Sequence, residues 1–542
     1  IVAKNFQKIL MQRFNQFILK YTSIEKGIYF LLFALLVILF NSLKIKYSDF
    51  ETYYFSAIMS HDPAYKYLIF QPSELCSYVK NELHIDGFYG GFTHPPNISL
   101  YYSLFIKIDF FYAKIINNLL SIFLFVFSLK RLFTYYKIEF KWLFLIPFIF
   151  YFPLRSNIYF GQFYLILFSL LVESLLALEL KKYNLSAFLL SLAIFTKIFP
   201  VLLIIYLLIA HPIKVSLKVI LYTTILFAIA VGIQGFDIWK LYVIEIFPRL
   251  NYGELHASFS YYFQTFFLFF KMMFVYDELR NPLALYNNYN LFLISIIFTK
   301  AALMIFTVAS TLKNIKNNLY NFSLWLLCAL LLLPNSNTYT MIFLMFILFY
   351  YIHKYKEHPF LFVSMVFIIF YISWVPAYKM MHMPYILRYS KLIFTFLLFI
   401  ILITNEGVLF RLKQSIAILI FVIATTINLF FRERTISSTY LITKNKPELI
   451  SQLYLKNNKL NFAYWSLNGE IHDSTDIIST VKPNDKIELI NNQLVLNNKL
   501  ITNSKDLKKS PLIIGQKIYY LSDFNQGYGF FTIRVLDFVP TN

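Results

Sequence analysis

The sequence predicts an all-α polytopic membrane protein of about thirteen transmembrane helices with a small β-rich extracytoplasmic domain at its C-terminal end. Three observations predict it. Of 542 residues, 58% are hydrophobic and 14% charged, and the mean hydropathy is +0.60, which excludes a water-soluble enzyme. Apolar runs recur between residues 27 and 430, of the order of the ~20 residues that a hydrocarbon core ~30 Å thick requires. After about residue 435 the pattern changes to short alternating runs separated by asparagine pairs.

Taken in order, residues 1–26 form an amphipathic helix on the cytoplasmic surface. Phe6, Ile9, Leu10, Phe14, Phe17, Ile18 and Tyr21 fall at helical spacing, with Lys and Arg opposite. Residues 27–434 are the transmembrane domain. Its spans are expected near 27–43, 109–130, 141–154, 162–180, 184–198, 199–211, 215–234, 290–311, 320–333, 339–352, 359–376, 390–404 and 414–430. Several are short, notably beside Pro200 and Pro334, so some pairs could be single kinked helices or re-entrant segments. Two long outer loops cover 44–108 and 235–289. Residues 435–542 read as β-hairpins, such as Lys486–Leu489 and Gln493–Leu496 about Asn491-Asn492.

Charge sets the orientation. With the N-terminus in the cytoplasm, Lys130, Arg131, Lys137, Lys181, Lys182, Lys214, Lys218, Lys313, Lys316, Lys354 and Lys356 all lie inside, as topology requires. Asp49, Glu51, Asp62, Glu74, Glu82 and Asp86 collect in the first outer loop. An odd number of spans then places the C-terminal domain outside a cytoplasmic membrane. The net charge of +21 is therefore addressed to lipid phosphate and topology, and no nucleic-acid partner is expected. Cys76 sits in a polar loop and Cys328 in an apolar run, so no disulfide between them is expected.

Asp49 stands just past the first span, at the membrane–water boundary. A carboxylate there can act as general base on an acceptor hydroxyl, or simply end a helix. Glu51 carries the same ambiguity. Asp62, in His61-Asp62-Pro63, is a possible second acid or the start of a turn. His94, in Thr93-His94-Pro95-Pro96, could bind phosphate or a sugar hydroxyl. Arg155 and Gly161-Gln162 interrupt apolar segments at the outer side, where polar groups are often functional. Lys197, in Phe195-Thr196-Lys197-Ile198-Phe199-Pro200, could stabilise charge on a departing lipid phosphate or snorkel to the interface. His256 in the second outer loop and Arg388 near a later outer end are further polar candidates. There is no phosphate-cradling Gly-rich motif, zinc-spaced ligand cluster or serine nucleophile elbow, so a nucleotide-dependent cytosolic enzyme has no support.

These segments together resemble the GT-C class of integral-membrane glycosyltransferases, most closely glycosyltransferase family 87, over roughly residues 25–410. The resemblance rests on Asp49–Tyr54 after the opening span, His94-Pro95-Pro96 before an apolar helix, Gly161-Gln162 at a helix start, and Lys197–Pro200, in the family's order. The chain departs from the family at His256-Ala257-Ser258, where the family has Asn-Gln-Ser, and at Leu333–Tyr339, which lacks the family's Trp and His. The resemblance implies transfer of mannose or another hexose or pentose from a polyprenyl-phosphate donor to an extracytoplasmic glycan or glycolipid, with inversion. Asp49 would activate the acceptor. Lys197, Arg155, His94, Gln162, Arg388 and His256 would hold donor phosphate or sugar. No cofactor is assigned, and metal dependence varies among GT-C enzymes, so a divalent ion stays open. A lipid-linked polysaccharide polymerase or ligase would also use such donors but usually carries its large loop late in the chain. A transporter would show repeat symmetry and ionisable residues near the midplane.

Overall fold

The computed structural model describes residues 24–44, 48–138, 151–254, 259, 263–277, 281–282, 284–354, 359–374 and 383–406 of the helical part. In the C-terminal part it describes 439–440, 449–456, 459–466, 471–478, 487–496, 499–514, 517–524 and 528–537. The amphipathic segment 4–21, most of the span expected over 141–154, that expected over 414–430, and His256 lie outside the described residues.

Helices run α1 (Ile24–Ser42), α2 (Asp49–Ser60), α3 (Pro72–Asn81), α4 (Asn97–Ser103), α5 (Phe110–Tyr135), α6 (Phe152–Phe160), α7 (Tyr164–Glu179), α8 (Tyr183–Thr196), α9 (Leu202–Ala210) and α10 (Ile213–Gln234). The chain continues through α11 (Phe236–Leu241), a π-helical turn Tyr242–Ile246, α12 (Phe247–Asn251), α13 (Phe266–Phe274) and α14 (Tyr289–Lys313). Then come α15 (Asn318–Leu332), α16 (Met345–Lys354), α17 (Pro359–Trp374), α18 (Tyr385–Arg388) and α19 (Ser390–Glu406). Short polar side chains start several of these helices by accepting first-turn N–H groups: Asp109 for α5, Asn288 for α14 and Asn317 for α15.

Among the described residues, α5, α10 and α14 are long and apolar enough to cross a bilayer, and the other apolar helices are shorter. Every expected span that falls on described residues is helical, but most are shorter than a straight crossing needs. The bundle is organised around α15, whose residues from Asn318 to Leu331 are all buried, as a mainly apolar central helix should be. At its edge α10 does the opposite. Leu217, Ile220, Leu221, Ile225, Ile229 and Ile233 are exposed in a stripe that no water-soluble surface would carry. Such apolar faces make this a membrane protein.

The C-terminal strands form three antiparallel sheets: β1 (Thr439–Tyr440), β10 (Thr532–Asp537), β9 (Lys517–Ser522) and β8 (Lys508–Ile514) in that order; β2 (Leu449–Lys456), β3 (Lys459–Trp465) and β4 (Ile471–Ile478); and β5 (Ile487–Ile490), β6 (Gln493–Leu496) and β7 (Lys499–Leu500). The β5–β6 register pairs Ile490 with Gln493, and Asn491 and Asn492 both take positive φ, 49° and 63°. That is the left-handed pair a two-residue hairpin needs, and asparagine tolerates it.

This β region does not stand apart. Leu449, Trp465 and Phe530 enter one apolar cluster with Phe50, Tyr53, Leu75, Phe88, Trp239 and Ile246. Lys509 pairs with Glu74 of α3, and Arg249 of α12 pairs with Asp523 at 2.7 Å. The β region therefore lies against both expected outer loops, on the same side of the bundle as α2–α4 and α11–α12.

Candidate active site

α2 opens with Ser48-Asp49-Phe50-Glu51, an N-terminal box in which the Ser48 N–H donates to Glu51 Oε2 at 2.6 Å. Glu51 is fully buried, and its other oxygen meets the buried Lys114 ammonium at 3.3 Å. The two acids of this turn thus have different surroundings. Glu51 is consumed in fixing the helix start, while Asp49 is half-buried and turned toward α6 and α7.

There it meets Gly161-Gln162. Gly161 ends α6 in the left-handed region at φ 62°, and a Cβ on it would lie 2.6 Å from Phe50 Cβ. Only glycine allows the turn to close so tightly on α2. The close approach lets Gln162 Nε2 donate to Asp49 Oδ2. Four residues along α2, and so on the same face, Tyr53 donates its hydroxyl proton to Gln162 Oε1 at 2.8 Å. Its oxygen also lies 3.0 Å from His94 Nε2, and His94 Nδ1 lies 2.8 Å from Lys197 Nζ.

The donors assign the chain one direction. With the Tyr53 proton committed to Gln162, His94 must donate from Nε2 and accept at Nδ1 from the Lys197 ammonium. Lys197, His94, Tyr53, Gln162 and Asp49 therefore form a run of head-to-tail hydrogen bonds from a cation to a carboxylate, each polarising the next. Burial holds His94 well below its ordinary range, with the neighbouring Lys197 charge second, so the ring is neutral. Burial also pushes Asp49 up to about 6; Gln162 and Lys114 oppose this shift and Glu51 adds to it. Lys197, just past the end of α8, is pushed down to about 7 by burial.

The local fold brings His94 to Lys197. Asn97 at the start of α4 donates to the Phe195 carbonyl, two residues before Lys197. Gln234 at the end of α10 ties the Pro96 carbonyl at 2.7 Å and Ser99 Oγ at 2.9 Å. The lysine ammonium sits 5.4 Å from the Tyr164 ring centroid and 5.7 Å from that of Phe163, within cation–π range.

Beside the Lys197 end lies a cavity of about 210 Å³. Thr93, His94 and Lys197 line one side, Phe247, Leu250 and Asn251 another, and Pro334, Asn335, Asn337 and Tyr339 a third. Tyr164 and Tyr339, both in its lining, also lie within electrostatic range of Asp49. Asp49 is not one of the lining residues and is linked to the cavity through Gln162, Tyr53 and His94.

Asp49, His94, Gln162 and Lys197 are therefore brought together from four separate stretches of chain. Other expected residues are not. Arg155 is exposed and stacked on Tyr159, its Cζ 4.7 Å from the ring centroid, away from the cavity lining. Arg388 donates Nε to the Met383 carbonyl at 2.7 Å and is likewise absent from that lining. Asp62 Oδ1 accepts the Ala64 N–H at 3.0 Å, the turn-forming alternative. Among the described residues, no three His, Cys, Asp or Glu side chains converge to hold a metal ion. Sequence reasoning gave no role to Tyr53, although its i+4 spacing from Asp49 was available, or to Lys114, a lysine set into an apolar helix.

The family model of glycosyltransferase family 87 matches residues 92–373, just over half of the chain. The chain belongs to glycosyltransferase family 87. No curated protein and no solved structure matches it. The matched stretch of this family 87 glycosyltransferase holds His94, Gln162, Lys197 and the Pro334–Tyr339 wall, and stops short of Asp49 and the β region.

Proposed function

We propose that this glycosyltransferase moves a hexose or pentose from a polyprenyl-phosphate donor to a glycan or glycolipid acceptor on the extracytoplasmic side of the cytoplasmic membrane. The observation that carries the proposal is the single hydrogen-bonded run linking Asp49 to Lys197 beside one cavity. A lipid-linked donor keeps its chain in the bilayer and its sugar at the surface. It needs a cation near the phosphate and a base near the acceptor, only a few ångströms outside the apolar helices.

In this mechanism the acceptor oxygen attacks the anomeric carbon while Asp49 takes its proton. The bond from that carbon to the phosphate oxygen breaks, and the lipid phosphate leaves with one more negative charge. Lys197 meets that charge. Direct displacement inverts the anomeric configuration. A carboxyl raised to about 6 is better matched to taking a proton near neutrality than an ordinary aspartate. Both ring nitrogens of His94 are engaged, so its role is to aim the Lys197 ammonium rather than to bind phosphate.

Purified protein in lipid nanodiscs, given polyprenyl-phosphate-linked hexoses and pentoses with glycan acceptors, should release polyprenyl phosphate. Asp49→Asn should insert and fold normally yet lower the turnover by about 10³-fold. Turnover at the unsubstituted rate in that variant would remove Asp49 from the chemistry.

A further inference from the structure

The second outer loop contributes one wall of the cavity through Phe247, Leu250 and Asn251, all on α12. A helix of five residues following a π-helical turn is too short to be stable alone, so its position depends on what packs on it, here the apolar cluster under Phe247 and Leu250 and the polar contacts on either side. On its cavity side α12 is touched by Asn335, whose Nδ2 donates to the Leu250 carbonyl at 3.4 Å. On its other side it is gripped through Arg249, a buried residue.

Its guanidinium reaches into the C-terminal β region, with Glu245 of the π-helical turn adding to the negative charge around it. Nη1 meets Asp523 Oδ2 at 2.7 Å, Nη2 donates to the Lys505 carbonyl at 3.5 Å, and Cζ lies 5.3 Å from the Tyr528 ring centroid. Asp523 is itself fully buried and immobilised. Its Oδ1 accepts the Leu507 N–H at 2.7 Å and its Oδ2 the Gly529 N–H at 3.0 Å. Gly529 in turn packs so closely on the residue that precedes α3 that a Cβ there would lie 2.9 Å from Gln71 Cα.

We infer that the C-terminal β region is a positioning element for the cavity: Asp523 holds Arg249, and through it the wall made by Phe247, Leu250 and Asn251. Arg249 and Asp523 touch no reacting atom. They fix the distance between the α12 wall and the Lys197 wall. That this distance matters for lipid phosphate rests on the function proposed above.

The test uses the full chain in nanodiscs with Asp523→Asn, the milder Arg249→Lys, and Lys517→Ala as a surface control within the same β region. Hydrogen exchange over 247–254 should be at least tenfold faster in Asp523→Asn, about threefold faster in Arg249→Lys, and unchanged in Lys517→Ala. The Kd for undecaprenyl phosphate should weaken about tenfold in Asp523→Asn. If Asp523→Asn is not recovered folded, Arg249→Lys alone decides. Exchange equal to the unsubstituted protein in the recovered Asp523 or Arg249 variants overturns the inference, whatever happens to binding. Faster exchange with an unchanged Kd keeps the grip on α12 but removes this cavity from the donor site, and so overturns the functional proposal instead.

Discussion

Burial acts in opposite senses at the two ends of the hydrogen-bonded chain. At one end it raises the Asp49 carboxyl to about 6; at the other it lowers the Lys197 ammonium to about 7. Both shifts favour the uncharged form, since taking either charge out of water is unfavourable. The ends differ in what opposes the shift. Asp49 has an amide N–H and the Lys114 charge on its side, whereas Lys197 has, among the described residues, aromatic faces and a neutral imidazole. The lysine is the more exposed to loss of charge, and an arriving phosphate would restore it.

That contrast can be broken or sharpened from either end. After Asp49→Asn, whose effect should be the largest, Lys197→Ala should lower kcat/KM for the donor about 10²-fold, mainly through KM. An unchanged donor KM would favour a lysine that merely snorkels.

The pH dependence comes next. In the proposed mechanism Asp49 works deprotonated, so kcat/KM should rise as pH climbs through about 6, and Lys197 works protonated, so it should fall as pH passes about 7. Lys197→Arg should abolish the alkaline limb and leave the acid limb in place, because a guanidinium does not titrate there. An alkaline limb surviving in Lys197→Arg would belong to another group.

Tyr53→Phe keeps the ring against His94 and Phe163 and removes only the hydroxyl bridge. Loss of two hydrogen bonds of ~1 kcal/mol each should lower kcat about tenfold, without loss of thermal stability beyond a few degrees. A Tyr53→Phe enzyme with full kcat would mean that the two ends act independently. The last variant, Gly161→Ala, is read on stability rather than on catalysis. There the left-handed backbone and the crowding on Phe50 should destabilise the fold by about 1–3 kcal/mol, read as a lower Tm in detergent. An unchanged Tm would show that α2 can move away from α6 at little cost.

Much of the helical part was legible because membrane insertion leaves a one-dimensional trace. Long apolar runs such as Phe110–Tyr135 and Ile213–Gln234 must be helices to satisfy their own backbone, whatever surrounds them. The Asn491-Asn492 hairpin was legible for an equally local reason, since two consecutive left-handed residues join its strands. The site was legible in part. Asp49, His94, Gln162 and Lys197 stood out as polar groups at apolar boundaries, and the structure joins them. Arg155 and Arg388 stood out for the same reason and are not joined, because a boundary position fixes depth along a helix and not the direction of its face. Tyr53 went unassigned because its i+4 spacing from Asp49 does not stand out in a sequence holding 42 tyrosines.

The sequence by itself determined that this chain lives in a membrane, where its apolar helices fall, and which of its segments resemble family 87, since each of these depends on residue type and near-neighbour order. Only the tertiary structure decided that Asp49 is the available acid of its turn while Glu51 is locked against Lys114. It alone decided that His94 serves Lys197, and that a strand-rich tail grips a loop some 270 residues earlier in the chain through Arg249 and Asp523. Such choices depend on which groups meet across distant segments, and hydrogen bonding and burial are set by those meetings rather than by position along the chain.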